Sequence, residues 1–327
     1  MLPFNNYKSV VAALLVGVTV FVLNNVSTEA GDKPMNMTSS APQVTNNTNA
    51  LRVEYEWKSG ASLGVGLQER QRTLVIDEKS SSVTYEQHRS ESDAPGEAIG
   101  IYLMPLHSTL IGEVIAVIHS LKLTELRPTT GGGPGVSLMT LRVQDKATHF
   151  EKNITSQDFE LLSKLESLID KFQGIQGDAL QHPISVLKAS VQMIEESSNV
   201  VFELKLENLG VAPLVLANPL QIARQTSDLQ AIVQVAYFPE ERAGFTAPPL
   251  EWKALHLVPP KGAATADIVL NPKQVWSART ERWNPAHHNA RYLAQGVYSN
   301  YNGNAYDKDV YRIRGAVFSD ALEVTAK

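Results

Sequence analysis

"NVVFELKLENLGVAPLVLANP", Asn199 to Pro219, is the stretch that decides the fold of this 327-residue chain. Phe202, Leu204 and Leu206 alternate with Glu203, Lys205 and Glu207, the period-2 pattern of a strand with one buried and one wet face. Asn208-Leu209-Gly210 then supplies a turn, and "PLVLAN" resumes the extended run. Further along, "AIVQVAYF", "EWKALHLV", "TADIVLNP", "RYLAQGVYSN" and "YRIRGAVFSDALEV" are short apolar segments set apart by "PEERAGFTAPP", "VPPKG" and "NGN". Several short strands with such punctuation predict a β-sandwich over residues 183–327.

Upstream the pattern is mixed and predicts an α+β domain over residues 51–178. Leu51, Val53, Tyr55 and Trp57 alternate with polar residues in "LRVEYEW", "RTLVIDE" and "SSVTYEQ" flank a polar hairpin tip at 77–80, and "GIYLMPL" reads as a fourth strand. In "STLIGEVIAVIHSLKL", Leu110, Val114, Val117, Ile118 and Leu121 fall at helical spacing. The clearest helix is "TSQDFELLSKLESLIDKFQG". Thr155 or Ser156 is placed to cap its start, and Leu161, Leu162, Leu165, Leu168, Ile169 and Phe172 form its apolar stripe. Glu160 and Lys164 form an i,i+4 pair on the wet side, Gly174 stands where a left-handed stop is expected, and 174–183 reads as the hinge between halves. The helix is expected to lie on the sheet built by the preceding strands.

The glycine-rich "TTGGGPGVSL", Thr129 to Leu138, poses a choice between a phosphate cradle and a bend. A cradle needs a following helix start and a Gly-Lys-Ser/Thr. Here Met139, Leu141 and Val143 alternate with Thr140, Arg142 and Gln144, and Pro134 removes one N–H. The glycines are read as a loop that leads into a strand.

The N-terminus is different in kind. One Lys and no acid precede the unbroken apolar run Val10–Leu23, and "NNVSTEA" ends at Ala30 with Thr28 two before it. A positive start, a short apolar run and a small-residue exit describe a secretory signal peptide over residues 1–30. The run is shorter than the roughly twenty residues a spanning helix needs. An uncleaved anchor is the rival reading, and it would bring the chain to a membrane through this segment alone. Residues 31–50, rich in Asn, Thr, Ser and Pro, read as a flexible leader. The expected location is exported, periplasmic or extracellular. The formal net charge of −5 gives no basic excess for nucleic acid. With no cysteine, disulfides, thiol nucleophiles and Cys-based zinc sites are excluded.

Motifs of catalysis are missing as well: the chain contains neither Gly-x-Ser-x-Gly nor His-Glu-x-x-His. A dispersed triad leaves no local trace, because its members meet only in space. His287 and His288 are adjacent, and neighbouring residues point apart in either regular structure; they read as a polar loop. In "SNYNGNAYDKDVY", Asn300, Asn302, Asn304, Asp307 and Asp309 offer oxygens at near-alternating positions, the ligand type Ca²⁺ takes. Positions six and twelve of a hand-type loop, however, hold Ala305 and Tyr311, and Asn302-Gly303 is a two-residue hairpin turn. A hairpin without metal is the expectation, with no cofactor. Trp276, Trp283, Tyr292, Tyr298, Tyr301, Tyr306 and Tyr311 crowd the C-terminal end; such rings either plug a core or anchor a partner, and core plugging is the expectation.

"VFELKLENLGVAPLVL" and "YLAQGVYSN…YRIRGAVFSDALEV" resemble the early and last strand pairs of bacterial immunoglobulin-like domains of exported proteins. Where many of those carry Trp-x-Gly before x-x-Ser, this chain has Arg314-Gly315-Ala316-Val317-Phe318-Ser319 without the Trp. The resemblance covers residues 183–327, and it implies a fold and no active residues. The N-terminal half is similar to small bacterial protease-inhibitor domains of mixed α/β type. The functional expectation is an exported, non-enzymatic binding or structural protein of the cell envelope, with a protein or envelope component as partner. Two alternatives stand beside it. One is an inhibitor or accessory factor of an exported protease, using Pro239–Trp252 as a proline-braced loop; the other is a hydrolase with a dispersed site.

Overall fold

A computed structural model describes residues 50–58, 71–88, 96–123, 126, 138–146, 148–196, 199–222, 229–238, 250–264, 266–287, 289–300, 306–307 and 310–325. Over these residues the protein is predominantly β, in antiparallel sheets with few helices. Strands β1 (Arg52–Lys58), β2 (Gln71–Asp77), β3 (Ser82–Gln87) and β4 (Ile99–Pro105) form a meander. The chain then crosses through helix α1 (Ser108–Ser120) to β5 (Leu138–Gln144), which pairs with the free side of β1, and β6 (His149–Thr155) closes that edge. The β2–β3 tip turns as its residues require. Asp77 Oδ1 accepts from the Lys79 amide at 2.9 Å, and Ser81 takes φ of 51°. The glycine stretch itself lies outside the described residues except at Leu138, where the expected strand begins.

Helix α2 (Phe159–Ala179) buries Leu161, Leu165, Leu168, Ile169 and Phe172 in the first core, as its stripe predicts. The Phe172 ring packs 4.9 Å from that of Tyr55 on β1. Lys164 and Glu160 are paired at 2.5 Å, and Lys171 pairs with Glu113 to tie α2 to α1. Two expectations need correction. The helix does not stop at Gly174 but runs through it to Ala179, because Ile175, Gln176 and Ala179 continue the buried stripe. That burial outweighs the roughly 1 kcal/mol that each mid-helix glycine costs. At the start, Asp158 takes the capping position, and its carboxylate accepts from the amide of Thr155 at 3.2 Å.

The segment read as a hinge is therefore mostly helix, and β7 (Pro183–Glu196) follows it almost at once. This 14-residue strand pairs with β4 on one side and with β8 (Asn199–Asn208) on the other. With β13 (Val275–Arg279) beyond β8, one nine-stranded sheet runs β13-β8-β7-β4-β3-β2-β1-β5-β6. The elements on either side of 179–183 thus share a sheet. Its two ends are covered on opposite faces. The helices cover one end, with Val53, Tyr55, Leu74, Ile76, Tyr102 and Met104 facing them.

A second sheet covers the other end on the reverse face. It runs β11 (Trp252–His256), β10 (Leu229–Tyr237), β14 (Arg291–Asn300) and β17 (Gly315–Phe318), and β18 (Leu322–Thr325) also pairs with β14. Between the sheets lie Leu187, Ala189, Phe202, Leu204, Val233 and Tyr298, an arrangement compatible with a β-sandwich. A third, small sheet of β12 (Ile268–Leu270), β9 (Leu214–Leu216), β16 (Val310–Arg312) and β15 (Tyr306–Asp307) closes one end, and a single turn, α3 (Pro219–Ile222), follows β9. Its β9–β16 pairing is parallel.

Strand β4 is where the coverage changes sides: Tyr102 and Met104 belong to the first core, Ile99 and Ile101 to the second. The β4–β7 register shifts between Ile101 and Tyr102, and Gly100 there takes φ of 137° with its Cα against the Ser185 carbonyl. A side chain has no room at that position.

Candidate functional site

Glu86, the most buried carboxylate among the described residues, and His88 sit next to this changeover, at the end of β3. Glu86 and His88 follow Thr84 on the face that turns toward the second core. Glu86 is 1% exposed and His88 7%. A buried carboxylate is costly unless it is hydrogen-bonded, and Glu86 meets that need across 225 positions of sequence: the Tyr311 phenol of β16 donates to its Oε1 at 2.6 Å. His88 Nε2 lies 3.5 Å from the same oxygen, while Nδ1 lies 3.3 Å from the Arg314 carbonyl.

The backbone reinforces these contacts. The Ala316 amide donates to the His88 carbonyl at 2.8 Å, and the Gly96 amide to the Phe318 carbonyl at 3.0 Å. Gly315, with φ of 111°, lets β17 approach so closely that an added Cβ would stand 1.6 Å from the His88 oxygen. On the other face of β3, Tyr85 donates to Gln87 at 3.1 Å and Gln87 to Glu97 at 2.8 Å. Burial, reinforced by Tyr85 and Glu97, pushes the Tyr102 phenol well above the ordinary range.

Carboxylate, phenol and imidazole are the groups of acid–base chemistry, and here Tyr311 and His88 both face the same Glu86 oxygen while the His88 backbone and ring also meet β17 and the Arg314 carbonyl. The geometry acts as a clasp. It fastens the third sheet and β17 to the end of β3, with the Tyr311–Glu86 hydrogen bond at its centre. Sequence reasoning missed it: "TYEQH" carries no local sign that Glu86 would meet Tyr311, and only the alternation placing Glu86 opposite Tyr85 was readable.

The residues singled out earlier fall as follows. Of the oxygen-bearing loop, Asn302, Asn304 and Asp309 lie outside the described residues, and Asp307 is in β15. Asn300 is buried and donates its amide to the Ile313 carbonyl at 3.2 Å. Among the described residues no group of three or more His, Asp or Glu side chains converges as a metal would require. His288 lies outside the described residues, and His287 stacks 4.8 Å from Tyr237 in the loop before β14.

Of the proline-braced loop, residues 239–249 lie outside, and Trp252 at its foot is 38% exposed. Trp283, Tyr292, Tyr298 and Tyr311 belong to the second core, and Trp276 packs against it; Tyr301 lies outside, as does the side chain of Tyr306. The rings form a chain, Phe202 to Trp283 at 5.6 Å, Trp283 to Tyr292 at 4.8 Å and Tyr292 to Tyr237 at 5.6 Å. It emerges at Tyr237, which is 43% exposed. Burial raises the Tyr298 phenol well above its usual value, and its hydroxyl donates to the Ala217 carbonyl at 3.3 Å.

No protein-family model matches the chain, and no curated protein matches it at a significant level. Among the described residues no helix is long and apolar enough to cross a membrane.

Proposed function

We propose that this chain is an exported, non-enzymatic binding or structural protein of the cell envelope. In this reading it is built from an α+β domain over residues 51–178 and an immunoglobulin-like domain over residues 183–327, joined through the common sheet. The observation that carries the reading is the N-terminal pattern: Lys8, the apolar run Val10–Leu23 and the small-residue exit at Ala30. Two further features support it. The chain achieves two apolar cores without any cysteine, and its most buried carboxylate among the described residues, Glu86, is spent on fastening sheets together.

The test is to express the full chain with a C-terminal tag in a bacterium, fractionate the cells and measure the mass of the tagged product. The expected result is a periplasmic or extracellular protein that lacks residues 1–30. A full-length product confined to the cytoplasm would overturn the reading, and a full-length product in the membrane pellet would replace cleavage by anchoring.

A further inference from the structure

His88 stands between two acceptors. Its Nδ1 lies 3.3 Å from the Arg314 carbonyl and its Nε2 3.5 Å from Glu86 Oε1. A neutral imidazole has one N–H and one bare lone pair. Whichever nitrogen carries the hydrogen, the other sets its lone pair against an oxygen that also only accepts. Both side chains are buried, so the mismatch is costly.

The surrounding elements do not relieve it. The Tyr311 phenol of β16 gives its hydrogen to Oε1 at 2.6 Å, but it brings no positive charge to the carboxylate. Arg312, also on β16, is held by Asp267 at 2.7 Å, and Arg314 meets His88 through its main-chain carbonyl. Asp320, beyond β17, lies against Gly96. On the β2 side Thr73 stands opposite Glu86, and on β1 Glu56 stands opposite Thr73 and pairs with Lys58 at 2.8 Å. On the β4 side the residue opposite Glu86 is the apolar Ile101. Arg72 and Glu97, 3.7 Å apart, belong to the other face of β2 and β3. Among the described residues, the group within ion-pair distance of Glu86 is His88.

One added proton resolves the arrangement. As imidazolium, His88 donates from both nitrogens, to the carbonyl and to the carboxylate. With the proton on Glu86 instead, the carboxyl donates to Nε2 while Nδ1 donates to Arg314. Two coupled sites take up such a proton as a pair, so its seat does not alter the count. We propose that the Glu86–His88 pair holds this proton in the folded protein, which makes the clasp between β3 and residues 310–318 proton-dependent. Its loss leaves carboxylate and lone pair face to face where β16 and β17 are fastened, and that fastening loosens. The device stands whether or not the chain is exported.

In an unfolded chain above about pH 6.5, Glu is ionised and His mostly neutral, so the two together carry no proton. The folded pair carries one. The folded state therefore binds more protons, and stability falls as pH rises, by up to about tenfold in the folding equilibrium constant per pH unit. Below about pH 6 the unfolded histidine is charged as well, and the dependence levels off.

The test is urea unfolding of the full chain at about pH 6 and about pH 8.5, for the wild type, His88→Gln and Glu86→Gln. Between the two conditions the wild type is expected to lose about tenfold more in its folding equilibrium constant than either variant does. Other titrating groups, including His119 beside Asp145 at 3.0 Å, are common to all three proteins and cancel from the difference. Glu86→Gln keeps an acceptor for Tyr311 and lets His88 stay neutral, so its deficit against the wild type is expected to shrink at the higher pH. That variant keeps the test valid should His88→Gln fail to fold. A wild type no more sensitive to pH than the variants overturns the inference. So does a Glu86→Gln protein that cannot fold at the higher pH, where the shared proton is no longer needed.

Discussion

One sheet serves two cores, and its two ends are finished in different ways. Under the helices, residues 51–178 use the familiar economy of one buried face: Val53, Tyr55, Leu74 and Ile76 look toward α1 and α2, while Arg52, Glu54 and Arg142 on the reverse face form a charged ladder with Asp77 and Glu151. At the other end the same sheet is buried on the reverse face by a second sheet. The difference lies in where the connections are long. The helices lie within the same stretch of chain as the strands they cover, whereas the covering strands of the second sheet come from residues 229–325, after all of β1–β8. Among the described residues the two ends are joined through β4, β7, the clasp at Glu86 and the Gly96 amide on the Phe318 carbonyl.

The largest effect on this partnership is expected at Gly315. Alanine there combines backbone strain of about 1–3 kcal/mol with overpacking against the His88 carbonyl of about 1–3 kcal/mol. Gly315→Ala is therefore expected to lose a large part of the total stability, read as a lowered midpoint in urea. A midpoint equal to that of the wild type would mean that β17 does not approach His88 as described.

Next in size come Phe172→Ala in the first core and Phe202→Ala in the second, each expected to cost about 3–5 kcal/mol. Because β4 contributes to both cores, both substitutions are expected to lower one common unfolding transition, monitored by tryptophan fluorescence and circular dichroism together. Two transitions, each moved by only one of the substitutions, would break the coupling and make the ends independent. The smallest effect is expected at the clasp: Tyr311→Phe leaves Glu86 without its donor and is expected to cost about 1–3 kcal/mol. Glu86→Gln, which keeps an acceptor for the phenol, is expected to cost less, and the reverse order would remove the carboxylate from the centre of the clasp.

How much of this was readable follows from the same contrast. β1, β5 and both long helices were legible because each has a single wet side, so period 2 or period 3.6 survives in the sequence; β2, β3 and β4 are buried on both sides over much of their length and were legible as short apolar runs set off by polar turns. β7 was not. In "PISVLKASVQMIEE", Val186 enters the first core while the adjacent Leu187 enters the second. Burial on both sides erases alternation. The extension of α2 past Gly174 was legible in Ile175 and Ala179, which continue the stripe, but two glycines masked it. β8 and "PLVLAN" were both recognised as strands, yet they enter different sheets, with β8 beside β7 and β13 and β9 beside β12 and β16. Strand identity is a local property, whereas partner choice is not. The clasp lay beyond reach for that reason, since Glu86 and Tyr311 carry no mark of one another.

The double membership of β4 has a bearing on how the protein is made. Synthesis delivers β4 and its helix-covered neighbours before β7, and long before β10, β14 and β17. Until those later strands emerge, Ile99 and Ile101 face water from a sheet whose other side is already complete, beside an edge with unpaired amides and carbonyls. A half-finished molecule of this kind is sticky. The order of emergence therefore leaves a window in which holding factors, or rapid completion of the chain, decide between folding and aggregation.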